Sequence, residues 1–451
     1  MNYFSQNPYT RQILQEFECC DQLDLSFYRT QFRSWKSTTM QHRIECVKEL
    51  ISLLNNRVET YANLITEEMG KPITEANAEI RKCINATEYL ISQADNWIRP
   101  RELDCEALYA VSIPEPLGPI LAIMPWNFPF WQVLRAAIPN LLVGNTVLLK
   151  HAPNVPRCAA ALDQLFKDAG FPNGVFSNHY LSHEGVARLI ATPTIAAVTF
   201  TGSDAAGSIV AAIAGQSIKK ITLELGGNDP MIVFDDCSLE NAITAAVESR
   251  SINSGQACNG AKRFIVQQGI HDQFIEQLTQ RVQVLKCGDP SDVSTQIGPL
   301  ARRDLYDKLS GQVHQTLEMG AVCVLQQPVK EENSWIFPPT VLSDVQPGQP
   351  AFEEELFGPV WSVTSFACDD EAIALANESH FGLGASVWTT NEERIARMML
   401  ELETGNVFVN DFVRSDPRFP FGGVKRSGHG KELGEVGFFE FVNWKTIYRK
   451  L

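Results

Sequence analysis

Apolar positions in the first hundred residues recur at helical spacing. Ile44, Val47, Ile51, Leu54, Val58, Tyr61 and Ile65 stand three or four apart, the stripe of an amphipathic helix, and Gly70 and Pro72 end it. A second helical stretch runs to about Trp97. Past residue 100 the pattern changes to short apolar runs separated by helix-length segments. The runs 118–124 (GPILAIM), 145–150 (NTVLLK), 174–180 (GVFSNHY), 195–201 (IAAVTFT) and 219–225 (KKITLEL) predict strands, with helices over 128–142, 156–169 and 203–214. Uninterrupted apolar strands alternating with helices make a parallel sheet covered on both faces and wound by right-handed crossovers, a Rossmann-like arrangement. The alternation resumes after Gly226-Gly227, with strands at 231–234 and 263–268 and helices to about 252 and over 270–286. A second α/β domain therefore follows the first. Segments 101–116 and 441–451 read as isolated extended pieces, edge strands that pair with each other or with a partner subunit.

One apolar stretch needs its own reading. Between Pro116 and Leu149 the only charged side chain is Arg135. Gly118, Pro119, Pro125, Asn127, Pro129 and Pro139 divide the stretch into pieces far shorter than the ~20 residues of a spanning helix. It reads as deep protein interior, and no membrane segment is expected.

Composition narrows the possible partners. The 451 residues carry 38 Lys plus Arg against 53 Asp plus Glu, a net charge of −15. Nucleic-acid binding needs an excess of cations, so that class is excluded. With 44% hydrophobic residues, 25 Phe, 8 Trp and 9 Tyr, the chain has the material of a sizeable core. The 11 cysteines form no CxxC pair, and MNYFSQNPYTRQ has no apolar signal-peptide core. Reduced thiols in the cytoplasm are expected, most of them inert core residues.

Several groups of residues can carry chemistry. His179 and His183 are four apart but lack HExxH order, so a metal site is not expected. The dinucleotide fingerprint GxGxxG is also missing, since the first sheet strand runs into PWNFP instead. TFTGSDAAG (199–207) offers another anion site: Gly202 allows close approach, and Ser203 caps a helix whose N–H groups and dipole attract phosphate. ELGG (224–227) places a carboxylate at a strand end, where catalytic groups collect. NSGQACNG (253–260) holds a cysteine in a loop of small residues that a substrate can approach. Each of these alone reads equally well as structure.

Their order along the chain decides between these readings. PWNFP (125–129), FTGS (200–203), ELGG (224–227), GQAC (255–258), ELFGP (355–359) and FGGVKRSGHGKELG (421–434) occur in sequence. From about residue 30 to the C-terminus the chain resembles the aldehyde dehydrogenase superfamily. IMPWNFPFWQVLR and LLKHAPNV are more similar to the bacterial NAD(P)-dependent succinate-semialdehyde dehydrogenases. The resemblance implies two Rossmann-like α/β domains plus a small β oligomerisation element. Residues 1–97 and 117–226 would form the NAD(P)-binding domain, 227–426 the catalytic domain, and 98–116 with 427–451 the bridging segments. It also implies a homodimer or homotetramer.

The resemblance makes Cys258 the nucleophile, Glu224 the general base for thioester hydrolysis, and Asn127 an oxyanion donor together with the Cys258 N–H. These are chemically apt: a thiolate adds to an aldehyde carbonyl, the oxyanion needs donors, and water needs a base whose pKa sits near neutrality. For the cofactor it implies Lys150 and Glu355 on the two riboses, Gly202 and Ser203 at the pyrophosphate, and Phe357 near the nicotinamide. Trp126 and Leu225 join the same site. Many NAD-preferring relatives carry a Glu three residues after the lysine. Here that position is Pro153, which neither binds a 2′-hydroxyl nor repels a 2′-phosphate, so NADP is accepted and the preference between NAD and NADP stays open. Where some relatives have a second cysteine two residues after the nucleophile, this chain has Gly260, so no local disulfide switch is expected.

Substrate choice turns on Arg135. A buried lone cation requires an anionic partner. That partner is either a distant Asp or Glu, or the distal carboxylate of a semialdehyde bound with Trp131 and Ser415; the resemblance favours the second. A neutral aliphatic aldehyde or another semialdehyde remains as an alternative substrate. A CoA-acylating enzyme would not need Glu224, and a catalytically dead binding protein would not retain Cys258, Glu224 and Asn127.

Overall fold

The computed structural model describes residues 3–329 and 334–450. The first and last residues of the expected segments 1–97 and 427–451 lie outside these.

Two sheets organise the chain. The first runs in the order Gly428–His429, Lys220–Glu224, Ala197–Thr201, Pro119–Met124, Thr146–His151, Phe176–Asn178. All pairs are parallel except the Gly428–His429 edge. The five strands expected from their apolar runs are all present; four are trimmed at one or both ends, and 145–150 is shifted by one residue to Thr146–His151. The second sheet has seven strands, ordered Val322–Gln326, Thr340–Ser343, Val360–Phe366, Arg263–Gln267, Pro230–Val233, Ala385–Trp388, Val407–Val409. Only Pro230–Val233 and Arg263–Gln267 were expected from the sequence. The others are short, and their burial is set by neighbours far along the chain.

Tyr109–Pro116 and Val442–Arg449 pair antiparallel through their whole length, so the two isolated extended segments find each other. Residues 428–429, counted with the C-terminal bridging segment, instead extend the first sheet beside Leu223 and Glu224. This brings the end of the chain next to the ELGG carboxylate.

Three helical expectations change. Residues 3–17 are not helical: Tyr3–Gln6 and Ile13–Phe17 form an antiparallel hairpin. The stripe 44–65 belongs to two helices, Met40–Asn56 and Val58–Met69, because Arg57 leaves helical geometry at φ −122°, ψ 19°. Gly70 does end the second, in the left-handed conformation. Pro139 does not interrupt its helix, which runs Trp131–Val143 and is buried at every residue. Its partners hold it at both ends. The Glu79 carboxylate accepts the Phe130 and Trp131 N–H groups at 2.9 and 3.0 Å. At the other end Trp35 Nε1 and Arg43 donate to the carbonyls of Leu141 and Leu142 at 3.0 and 2.9 Å. Bonds of this kind satisfy the end groups a buried helix leaves unpaired. Among the described residues no helix is long and apolar enough to cross a membrane.

Candidate active site

In the first sheet Pro119–Met124 and Ala197–Thr201 lie side by side while their chain neighbours lie on opposite flanks. Such a reversal of strand order opens a crevice beyond the carboxyl ends of the strands. Met124 leads into Trp126 and Asn127 there, and Thr201 into Gly202 and Ser203. Ser203 Oγ accepts the Ala206 N–H at 3.3 Å and caps the helix Asp204–Gln216. The remaining N–H groups of that first turn, and its dipole, favour an anion.

A cavity of about 570 Å³ extends from this point. Trp126, Lys150, Pro153, Gly202, Ser203, Leu225, Glu355 and Phe357 all line it, as do Cys258, Glu224 and Asn127. Lys150 is 7% exposed and has no carboxylate partner among the described residues. Its ammonium lies 5.4 Å from the Tyr3 ring centroid, and burial lowers its pKa to about 8. A buried cation without a counter-charge suits a phosphate-bearing ribose. Trp126 and Phe357 meet edge to face at 5.8 Å and form an apolar wall. These residues fit a dinucleotide.

The nucleophile loop is strained and heavily braced. After the helix Leu239–Ser251, Asn253 and Ser254 take φ of 53° and 55°, a conformation that costs roughly 1–2 kcal/mol per L-residue. Four bonds hold it. The Asn253 N–H donates to Glu75 at 2.5 Å, and its Nδ2 to the Asn127 carbonyl at 2.8 Å. Ser254 Oγ accepts the Gly298 N–H and Gln256 Oε1 the Ala301 N–H, both at 2.9 Å. Gly255, at φ 79°, packs so closely on the ELFGP loop that a Cβ would lie 2.2 Å from the Gly358 carbonyl carbon. Lys262 is buried beneath the loop, donating to the Ala257 and Cys258 carbonyls at 2.9 and 2.5 Å. Its ammonium also lies 3.3 Å from Glu355, which accepts the Gly227 N–H at 3.2 Å. One lysine thus connects the cysteine loop to a cofactor-side carboxylate.

Asn127 Nδ2 donates to the Gln256 carbonyl at 3.0 Å, which leaves its second N–H available. Among the described residues the Cys258 N–H has no acceptor. Two donors are therefore present for an oxyanion. Burial pushes the Cys258 thiol up to about 11, against the positive charges of Lys262 and Arg135. Glu224 is 3% exposed, and burial, then the neighbouring Glu432, holds it well above the usual carboxylate range.

Trp131, Arg135 and Ser415 do not line this cavity. Arg135 has a carboxylate beside it: its Nε pairs with Glu432, with side chains 2% and 8% exposed. Glu432 is fixed in turn by backbone bonds with Phe421 at 2.6 and 2.8 Å. The distant structural partner is therefore present. Two cations approach the Trp131 ring, Arg135 at 5.9 Å and Lys82 at 4.4 Å from its centroid, and Lys82 Nζ donates to Ser415 Oγ at 2.6 Å.

Glu75, Glu79, Lys82, Lys262 and Glu432 were not foreseen as site residues. A signal existed for the first three. They stand at i, i+4 and i+7 on the helix Ile73–Trp97, one face bearing charge within an otherwise apolar stripe. The histidines have local roles: His179 Nε2 lies 2.8 Å from Tyr28 Oη, and His183 begins the helix His183–Ala191 at the cavity wall. Among the described residues no three metal-binding side chains cluster. All eleven cysteines are free thiols.

Comparison with known proteins agrees with this geometry. The model of the Aldehyde dehydrogenase family matches residues 3–447. A protein of Synechocystis sp., named probable succinate-semialdehyde dehydrogenase (NADP(+)), is 43% identical over 98% of both chains. A succinate semialdehyde dehydrogenase (NAD(P)+) of Escherichia coli is 45% identical over 93% of this chain and 90% of its own. The crystal structure of a succinic semialdehyde dehydrogenase from Streptococcus pyogenes, in complex with NADP+, superposes with a TM-score of 0.96 at 33% identity, covering all of both chains. With its two α/β sheets, its cysteine loop and its carboxylate at the strand end, this chain belongs to the aldehyde dehydrogenase family.

Proposed function

We propose that the protein oxidises succinate semialdehyde to succinate with NADP or NAD, through a covalent intermediate on Cys258. The observation that carries this reading is the convergence of Cys258, Glu224 and Asn127 on the cavity that Lys150, Ser203 and Glu355 also line. The relatives' names supply the substrate and the cofactor.

Cys258 Sγ, as thiolate, adds to the aldehyde carbon, and the carbonyl oxygen becomes an oxyanion held by the Asn127 amide and the Cys258 N–H. Lys150 and Glu355 would hold the riboses, and Ser203 with its helix the pyrophosphate. A nicotinamide held there would accept the hydride from the tetrahedral carbon, which would leave a thioester on Cys258. Glu224, as carboxylate, takes a proton from water as the hydroxyl bonds to the thioester carbon, and Cys258 leaves as thiolate. Pro153 beside an unpaired Lys150 admits a 2′-phosphate. In this reading 1–97 and 117–226 carry the cofactor and 227–426 the nucleophile. The protein works in a reducing cytoplasm, where its exposed Cys20, Cys105, Cys323 and Cys368 stay free. A homo-oligomer is favoured by the edge strand Val442–Arg449, whose Tyr448 is 56% exposed.

A second reading, oxidation of a neutral aliphatic aldehyde, is favoured by one observation: Arg135 is already neutralised by Glu432. The experiment is NADP reduction with succinate semialdehyde beside butanal, in wild type and Cys258→Ala. A kcat/KM at least tenfold higher for the semialdehyde is expected, and no turnover in the variant. A preference for butanal would select the second reading, and an active Cys258→Ala would remove the covalent mechanism.

A further inference from the structure

Carbonyl oxygens of the nucleophile loop converge on one ammonium. Lys262 is 2% exposed, and its Nζ donates to the carbonyls of Ala257, Cys258 and Gly260 at 2.9, 2.5 and 3.2 Å. All three protons of the ammonium are thereby placed. Its charge faces Glu355 Oε1 at 3.3 Å, which offsets part of the cost of burying it. The next residue, Arg263, is equally buried but turns elsewhere, to the carbonyls of Asn228, Leu375 and Ala376. Of these two cations Lys262 is the one bonded to the cysteine loop.

The Ala257 carbonyl and the Cys258 N–H belong to one planar trans peptide and point in opposite directions. A lysine fixed on the carbonyl therefore aims the N–H away from itself, and that N–H has no acceptor among the described residues. An ammonium on the carbonyl oxygen also draws electrons from the amide, which makes its N–H a stronger donor. The preceding carbonyl, that of Gln256, is held separately, by Asn127 Nδ2 at 3.0 Å and Asn253 Nδ2 at 3.2 Å. Lys262 and Asn127 thus grip consecutive peptides of one loop. Among the charges around the Cys258 thiol, that of Lys262 also does most to offset its burial.

We propose that Lys262 is a positioning residue for the oxyanion. By holding and polarising the Ala257 carbonyl, it presents the Cys258 N–H to the negative oxygen that forms when the thiolate adds to the aldehyde. This rests on the reading of the reaction given above. Lys262 touches neither substrate nor cofactor and acts through the peptide it holds.

The test takes Glu224→Gln as parent, in which the thioester accumulates, and adds Lys262→Met or Lys262→Gln. The NADPH burst measures formation of the thioester, and alkylation by iodoacetamide measures the thiolate alone. Infrared difference spectra with succinate semialdehyde labelled at its aldehyde carbon read the thioester C=O stretch. Lys262→Met should slow the burst about 10–100-fold, short of the roughly 10²–10³ lost when a donor is deleted outright. The loss should be equal for every aldehyde turned over, since the oxyanion forms at their shared end, and half-saturation should stay within about threefold. Alkylation should slow by a smaller factor, and the C=O stretch should move to higher wavenumber as its hydrogen bond weakens. Lys262→Gln, which keeps a neutral donor, should fall between. Quenching of tryptophan fluorescence by NADP shows that a variant is folded, and Lys262→Gln carries the comparison if Lys262→Met does not fold. Either a burst slowed no more than alkylation or an unmoved C=O stretch would overturn the role of Lys262 at the oxyanion while the reaction stands. A parent without a burst would overturn both.

Discussion

Arg135 and Glu432 form a buried ion pair within electrostatic reach of Glu224, joining the apolar helix Trp131–Val143 to the C-terminal segment. One arginine thus serves two buried carboxylates. It touches Glu432, and its charge works against the burial that raises the pKa of Glu224.

Breaking that pair on one side should be costly. Arg135→Met leaves Glu432 buried without a counter-charge, and a loss of about 3–5 kcal/mol is expected. Arg135→Met combined with Glu432→Met should recover most of it, because well-packed apolar pairs replace buried ion pairs at little net cost. Urea unfolding of the four proteins in the cycle measures the coupling. Additive losses would show that the two residues do not depend on each other.

Glu224→Gln should separate the two halves of the reaction. A burst of about one NADPH per site is expected in stopped flow, followed by a steady rate lowered about 10²–10⁴-fold. Acylation would survive because it does not use this base. A steady rate close to wild type would take Glu224 out of hydrolysis.

The Cys258 thiol, pushed up to about 11 by burial, titrates above its ordinary range. Only the thiolate reacts, so in the free enzyme inactivation by iodoacetamide should accelerate about tenfold per pH unit between pH 7 and 10. A rate that levels off by pH 8 would mean that the nearby cations, Lys262 and Arg135, outweigh desolvation.

For Lys150 the direction is opposite. Its pKa is lowered to about 8 by burial, so its charge is present below that pH and lost above it. KM for NADP should rise as pH passes 8, more steeply than KM for NAD, whose ribose carries no 2′-phosphate. Lys150→Met should weaken NADP at every pH and abolish the difference in slope. Parallel pH profiles in wild type would place the 2′-phosphate away from this lysine.

The chemistry-bearing residues were legible because each sits in a short motif at a strand end. A strand that stops at Thr201 or Glu224 delivers its next residues to the crevice whatever the rest of the chain does. Alternating apolar runs gave the first sheet for the same reason, since burial on both faces leaves a local signature. The late strands of the second sheet, such as Ala385–Trp388 and Val407–Val409, are too short to carry one.

What the sequence could determine by itself was which residues are chemically capable: a cysteine among glycines, a carboxylate after a strand, a helix cap, and one arginine in an apolar stretch. It could not determine where each charge finds its counter-charge. Electrostatic pairing acts through space at a few ångströms, while the partners here lie far apart in the chain. Glu432 reaches Arg135 only because residues 428–429 add an edge to the first sheet beside Glu224. Lys82 remains without a carboxylate only because Glu79, on the same helix face, is already engaged by Lys71 and two N–H groups. Tertiary structure therefore decided which cation is satisfied and which still lacks an anion.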